Sequence, residues 1–466
     1  MIMKNKKKEG LHSFAMLFIV IVVAAALTYI VPAGVYERVT DAVTGRSIVD
    51  GNSYHTIASS PTTLMGLLSA IPKGFTEVAD IICFTLACGG AFAIIQKAGL
   101  IKALIQTVSK KYRNKGVLGL MILFAVFAVL DTCLGTPELC VMYMPIVLPL
   151  VISLGFDTLT ACSIVVCGSC VGFASGLMNP YTTVISQKLT GLPLFSGMGF
   201  RAVMMVVLYV ISMLYICIRA KKIQANPEKS PTYELDQEHR ANIVEEEDIV
   251  LNTRQKIAAV FAIGSFVTMV FGILKFSWDL PQMSGIMILL GIGSAMISGL
   301  SVNTACNEFC AGAADVVSAA IMIGIARAIA VVMTEGQILD SIVHGAVQIF
   351  GNFPSALLAI GVFLLVTLLN FCIPSGSGKA TIIIPILSPV AQIVGINQQT
   401  MILAYQFGDG FSNSIFPTAG FYVAAIQMTG VKYTTWLKAQ IQLFCIWFCT
   451  GCVALFVAQL INYGPF

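Results

Sequence analysis

The sequence predicts an all-α integral membrane protein built from two inverted repeats, each with a re-entrant helical hairpin and a broken transmembrane helix. Three observations carry this. The 466-residue chain is 57% hydrophobic and only 11% charged, about half the charge of a soluble globular chain. More than half of its 27 basic and 23 acidic residues fall in residues 1–10, 34–56, 108–115 and 221–256, which leaves long stretches almost without charge. Two of those apolar stretches are also interrupted near their middle by small, polar, turn-forming residues.

The first apolar run, 14–31, follows Lys4, Lys6, Lys7 and Lys8. It is too long for a signal-peptide core and lacks a clear cleavage site, so it reads as a retained span with a cytoplasmic N-terminus. Further spans are expected at 78–98, 158–190, 199–219, 255–275, 283–300, 311–333, 398–430 and 436–460. Residues 117–154 and 354–394 are each too long for one crossing. Asp131-Thr132-Cys133-Leu134-Gly135-Thr136-Pro137-Glu138 divides the first and Pro374-Ser375-Gly376-Ser377-Gly378-Lys379 the second. Each half is about one span long or shorter, so a hairpin that dips into the bilayer and returns is the economical reading.

Counting hairpins as returning to the side they left, the loop of Lys110, Lys111, Arg113 and Lys115 falls in the cytoplasm. So does segment 220–253, flanked by Arg219, Lys221, Lys222, Arg254 and Lys256, whereas 34–60 falls outside with only Arg38 and Arg46. Segment 220–253, with Glu245, Glu246, Glu247 and Asp248 in a row, reads as a flexible cytoplasmic linker. It separates a first repeat, 1–219, from a topology-inverting span, 254–282, and a second repeat, 283–466.

An offset of 240 residues superposes Pro145 on Pro385, Pro149 on Pro389, Gly155 on Gly395, Gly168 on Gly408 and Gln187 on Gln427. Both copies run hairpin, short loop, then a span broken by Ser175–Pro180 or by Gly408–Ser414. Inverted repeats with broken helices are the plan of secondary transporters, because half-helix ends at mid-membrane offer free N–H and C=O groups to substrate and ions.

The remaining composition narrows the function further. The net charge of +4 comes from basic residues flanking apolar runs, a topological signal, so no nucleic-acid partner is expected. The 14 cysteines sit almost entirely in apolar runs, and even Cys167 and Cys170 have no second pair or nearby histidine, so no metal site or other cofactor is expected. No HExxH or GxSxG occurs, and Gly376–Lys379 is not a phosphate-binding loop because Ile373 stands where its first glycine is needed. An enzyme is therefore disfavoured, and a channel would be set aside by saturable counterflow.

Ionisable groups within a bilayer are costly, so those at the breaks are site candidates: Asp131, Glu138, Lys379 and Asp409. The alternative for them is a structural ion pair, for instance Lys379 with Asp409. Thr136, Asn179, Ser375, Ser377 and Thr418 join Glu138, Lys379 and Asp409 as candidate substrate contacts, with capping of the broken helices as the competing role. Arg327 and Glu335 would lie about 80° and about 12 Å apart on one helix, too far to pair, so a partner elsewhere is expected for Arg327. If all four break residues face one cavity, its charge is about −2, or about −1 with Arg327, which suits a cation better than a dianion. A lysine for a carboxylate and acids for an amine or guanidinium fit an amino acid.

Gly135–Glu138, Asn179–Gln187 (NPYTTVISQ), Gly191–Gly199 (GLPLFSGMG), Pro374–Ala380 (PSGSGKA) and Gln406–Gly420 (QFGDGFSNSIFPTAG) resemble the YfcC family. That family lies in the DcuC-like group of C4-dicarboxylate and basic amino acid carriers of the ion transporter superfamily. The resemblance covers essentially the whole chain. It implies a homodimeric elevator transporter of the bacterial cytoplasmic membrane, with a small-molecule substrate bound at the hairpin tips and broken helices. One departure matters: many relatives carry GMAEE at the first tip, where this chain has Gly135-Thr136-Pro137-Glu138-Leu139 and only one acid. Ser412-Asn413-Ser414 resembles the Ser-Asn-Thr motif of sodium-coupled relatives, so sodium at these three residues, a proton at Asp131 or Asp409, and obligate exchange all stay open. The leading expectation is a basic amino acid antiporter, with a C4-dicarboxylate carrier as the alternative.

Overall fold

The computed structural model describes residues 13–40, 47–50, 53–101, 103, 115–242, 251–276, 278–350, 355–394 and 396–464. The expectations resting on Lys4–Lys8, Arg46, Lys110–Arg113, Glu245–Asp248 and Gly395 lie outside the described residues. The described chain is predominantly helical. Its helices are α1 (Ser13–Ile30), α2 (Leu64–Glu77), α3 (Ala79–Lys97), α4 (Gly116–Leu134), α5 (Cys140–Ser153), α6 (Thr158–Ser175), α7 (Thr183–Leu189), α8 (Met198–Ala225), α9 (Tyr233–Asn242) and α10 (Thr253–Phe276). They continue as α11 (Leu280–Ser298), α12 (Val302–Asp315), α13 (Val317–Glu335), α14 (Leu339–Phe350), α15 (Ser355–Cys372), α16 (Gly376–Val394), α17 (Gln398–Ser412), α18 (Gly420–Gln427) and α19 (Tyr433–Leu460). Among them α3, α4, α6, α8, α10, α11, α13 and α19 are long and apolar enough to cross a bilayer, so this is a multi-pass membrane protein.

Two short antiparallel ladders, Gly34–Val35 with His55–Thr56 and Arg38–Thr40 with Ser47–Val49, correct the all-helical expectation. β-Branched Val35, Val39, Thr40, Ile48 and Val49 pair there because the polar segment between α1 and α2 leaves their backbone groups without helical partners. Helices α2, α9 and α14 are also additional to the expected spans, as is α12 up to residue 310. They are 10 to 14 residues long, too short to stand out in a search for membrane-length runs.

The helices form two packed groups. In one, α13 lies against α1, α2 and α3, while α3 also packs on α11 and α12, and α11 on α10. In the other, α4 and α5 pack on α6, α15 and α16 pack on α17, and α6 crosses α17. The groups meet chiefly where α18 runs along α13. Every residue of α6 is buried, as is every residue of α17 after Gln398. Their small residues permit this, as in other close membrane-helix crossings. At the α6–α17 crossing a Cβ on Gly410 would stand 2.5 Å from the Ala174 Cα, so only glycine fits.

The correspondence at offset 240 lands on matching elements. Pro145 and Pro149 lie inside α5 and Pro385 and Pro389 inside α16. Gly168 and Gly408 lie in α6 and α17, and Gln187 and Gln427 in the last turns of α7 and α18.

Segment 220–253, expected as a flexible linker, carries the end of α8 and the whole of α9 within its described residues 220–242. Its acid and hydroxyls find buried partners at the N-terminus of α6, which composition alone does not reveal. Asp236, 1% exposed, accepts from the Thr158 N–H at 2.8 Å and the Thr158 hydroxyl at 2.6 Å. Asp157, the fully buried N-cap of α6, pairs with Arg219 at 2.5 Å and accepts from Ser230 at 3.1 Å. Both carboxylates sit at the positive end of the α6 dipole. Asp236→Ala is expected to lower stability by about 2–4 kcal/mol through loss of charge-assisted bonds at a buried helix end. Thermal unfolding in detergent checks this, with faster proteolysis around 226–242 as the local sign.

Candidate functional site

The two interruptions meet in space. Residues 135–138 between α4 and α5, and 374–377 at the start of α16, face one cavity of about 340 Å³ between the two helix groups. Its other walls are Glu77, Val78 and Ile81 at the α2–α3 junction, Asp279, Leu280 and Met283 at the start of α11, and Ile323 and Arg327 of α13. Asn413, Thr418, Gly420 and Phe421 of the broken α17–α18 segment complete it, with Phe173 and Tyr181 from the first break. This volume suits a small molecule.

Gly135 ends α4 in the left-handed region (φ 64°), its N–H donating to the Asp131 carbonyl at 2.9 Å. Its missing side chain lets the buried Asn179 amide pack directly on the tip. The Asn179 Oδ1 accepts from the N–H groups of Tyr181 (3.0 Å) and Thr182 (3.2 Å), holding the chain between α6 and α7 in a turn. The Thr132 hydroxyl accepts from the Leu177 N–H at 3.0 Å, pinning the same break to the end of α4. The broken helices are tied to each other by Gln406, whose Nε2 donates to the Phe173 carbonyl at 2.5 Å and whose Oε1 accepts from Thr183 at 3.3 Å.

Of the candidate substrate contacts, Glu138, Thr136, Ser375, Ser377 and Thr418 line the cavity, and Asn179, Lys379 and Asp409 do not. The hydroxyls of Thr136 and Thr418 are buried at its wall without a hydrogen-bond partner among the described residues. The Ser375 hydroxyl accepts from the Gly378 N–H at 3.2 Å, a capping role for α16. Lys379 and Asp409 are fully buried and pair at 2.9 Å, the structural ion pair named above as the alternative. Asn179 likewise serves the turn.

The coupling-ion candidates separate as well. Asp131 is fully buried in the last turn of α4, and neither carboxylate oxygen has a hydrogen-bond partner among the described residues. Asp409 holds Lys379. Ser412 and Asn413 accept from the Asn370 amide at 2.7 and 2.8 Å, and Ser414 donates to the Phe411 carbonyl at 2.7 Å. Only Asn413 of these lines the cavity.

The charges around the cavity are therefore not the set expected from sequence. They are Glu77, Glu138 and Asp279 against Arg327, and Arg327 Nε donates to Glu77 at 2.6 Å. Glu335 pairs instead with Lys73 at 2.5 Å, so α2 supplies a partner to both charged residues of α13. Glu77 and Asp279 were missed by sequence reasoning. Glu77 ends a 14-residue helix just before an expected span, and Asp279 caps α11 in the short connection from α10. An isolated acid at the edge of an apolar run was the available signal for both.

A family model described as C4-dicarboxylate anaerobic carrier matches residues 11–460. The chain is 27% identical over 488 residues to the Escherichia coli (strain K12) protein named "Putative basic amino acid antiporter YfcC", with 97% of this chain and 96% of that one covered. It is 24% identical over 481 residues to an uncharacterized protein of Haemophilus influenzae, covering 93% and 94%. Among solved structures, the YdaH transporter of Alcanivorax borkumensis aligns at 15% identity over 98% of this chain and 100% of that one, with a TM-score of 0.43. MtrF of Neisseria gonorrhoeae, from a class of antimetabolite efflux pumps, aligns at 16% identity over 97% and 96%, with a TM-score of 0.44.

Proposed function

The chain belongs to the C4-dicarboxylate anaerobic carrier family, and from that membership we propose that it is a secondary active transporter of amino acids that exchanges basic ones. The observation that carries the reading is the charge of the cavity: three acids face it against one arginine already paired to one of them. A dianion would meet net repulsion there, and Lys379, expected from the sequence to hold a carboxylate, lies instead in a buried pair. A cationic amino acid meets complementary groups at both ends. Glu138 and Asp279 face its side-chain charge, while the tip around Ser375 and Ser377, at the N-terminus of α16, offers main-chain N–H groups to its carboxylate.

In this reading 1–219 and 283–466 are the inverted repeats, α4–α5 and α15–α16 are their re-entrant hairpins, and alternating access moves the cavity between the two faces of the cytoplasmic membrane. The N-terminus is cytoplasmic and the protein a homodimer. Asp131, with no cation partner among the described residues, is the favoured coupling residue.

Counterflow in proteoliposomes tests the function. Vesicles are loaded with unlabelled arginine, ornithine, a neutral amino acid or succinate, and entry of the matching labelled compound is followed with and without sodium. Arginine or ornithine entry that requires internal amino acid is the expected result. Entry of succinate alone would place the protein with dicarboxylate carriers and overturn the reading.

A further inference from the structure

We propose that the Lys379 ammonium is a tethered cation filling a monovalent-cation place in the second repeat, and that its removal leaves an oxygen site that sodium occupies. The fully buried Nζ donates to Asp409 Oδ1 at 2.9 Å, to the Ile373 carbonyl at 3.4 Å and to Asn370 Oδ1. Three N–H groups thus meet three oxygens, one carboxylate, one main-chain carbonyl and one carboxamide, the hard ligands an alkali cation takes at a broken membrane helix. Ile373 directly follows α15, so the negative end of that helix dipole adds to the site.

The Asn370 oxygen is held in place independently of the lysine. The Asn370 Nδ2 donates to Ser412 Oγ (2.7 Å), Asn413 Oδ1 (2.8 Å) and the Asp409 carbonyl (3.2 Å), which turns its Oδ1 toward Nζ. The Tyr405 ring centroid stands 6.0 Å from Nζ and closes the far side with a π face. Ser412 and Asn413 therefore orient Asn370.

The first repeat treats the same position differently. At the 240-residue offset, Leu139 stands in place of Lys379 and Ser169 in place of Asp409. Its acid is Asp131, whose oxygens have no hydrogen-bond partner among the described residues. The inference extends the transport reading, but its test reads folding and does not depend on any substrate.

Wild type, K379Q and K379Q/D409N are purified in detergent, and thermal midpoints are compared in sodium chloride and choline chloride at equal ionic strength. K379Q is expected to gain a sodium-dependent rise of several degrees beyond any response of the wild type, and K379Q/D409N is expected to gain none. A folded K379Q with no gain over wild type overturns the proposal. So does a K379Q recovered in neither salt, whether the paired variant folds or fails, because sodium then does not replace the ammonium. Absence of arginine counterflow in the wild type, with the sodium gain of K379Q intact, would instead count against the transport reading alone.

Discussion

Glu138→Gln is expected to cut arginine counterflow about 10- to 100-fold while leaving the thermal midpoint nearly unchanged. The side chain sits on the 3-10 turn Pro137–Leu139 at the first tip, lines the cavity and has no cation partner among the described residues. A charge-assisted hydrogen bond to a substrate cation is worth about 1.5–3 kcal/mol, and each 1.4 kcal/mol is a factor of ten. Glutamine keeps the volume and removes the charge, so the loss falls on binding. Counterflow measured across arginine concentrations checks this, with a raised half-saturation as the sign. Unchanged arginine transport in the variant would remove Glu138 from the site.

Lys379→Gln is expected to behave in the opposite way, with a large loss of stability before any question of substrate arises. The substitution leaves the Asp409 carboxylate buried without its cation, which costs about 3–5 kcal/mol in a sodium-free buffer. Lys379→Gln with Asp409→Asn removes both charges together and is expected to recover most of that loss, since a neutral pair carries no such desolvation penalty. Thermal unfolding of the wild type and both variants in choline chloride decides the matter, and a single variant as stable as the double would contradict the pairing. Together the two substitutions separate a group proposed to meet substrate from one that holds α16 to α17.

Much of the fold was legible because a bilayer imposes a length and a polarity on every element that crosses it. Apolar runs and their flanks located the long helices, and the polar clusters at 131–138 and 374–379 located breaks between helices. Short helices and small ladders were not legible, because α2 and α9 are held by contacts from elsewhere in the chain. Asp236 anchors α9 through Thr158, a partner 78 residues away.

The site divides along the same line. Glu138, Thr136, Ser375, Ser377 and Thr418, named from the sequence around the breaks, line the cavity, whereas Asn179, Lys379 and Asp409 from the same breaks serve a turn and a buried pair. The sequence by itself determined that this is a multi-pass helical membrane protein and which residues stand at its breaks. The tertiary structure alone decided which charges face the cavity and which cancel in the interior. Lys379 and Asp409 lie 30 positions apart and neutralise each other, while Glu77, Asp279 and Arg327 come from three different helix ends and faces to the cavity wall. An interaction between charges depends on their separation in space and on the dielectric around them. Neither is written in the order of the residues.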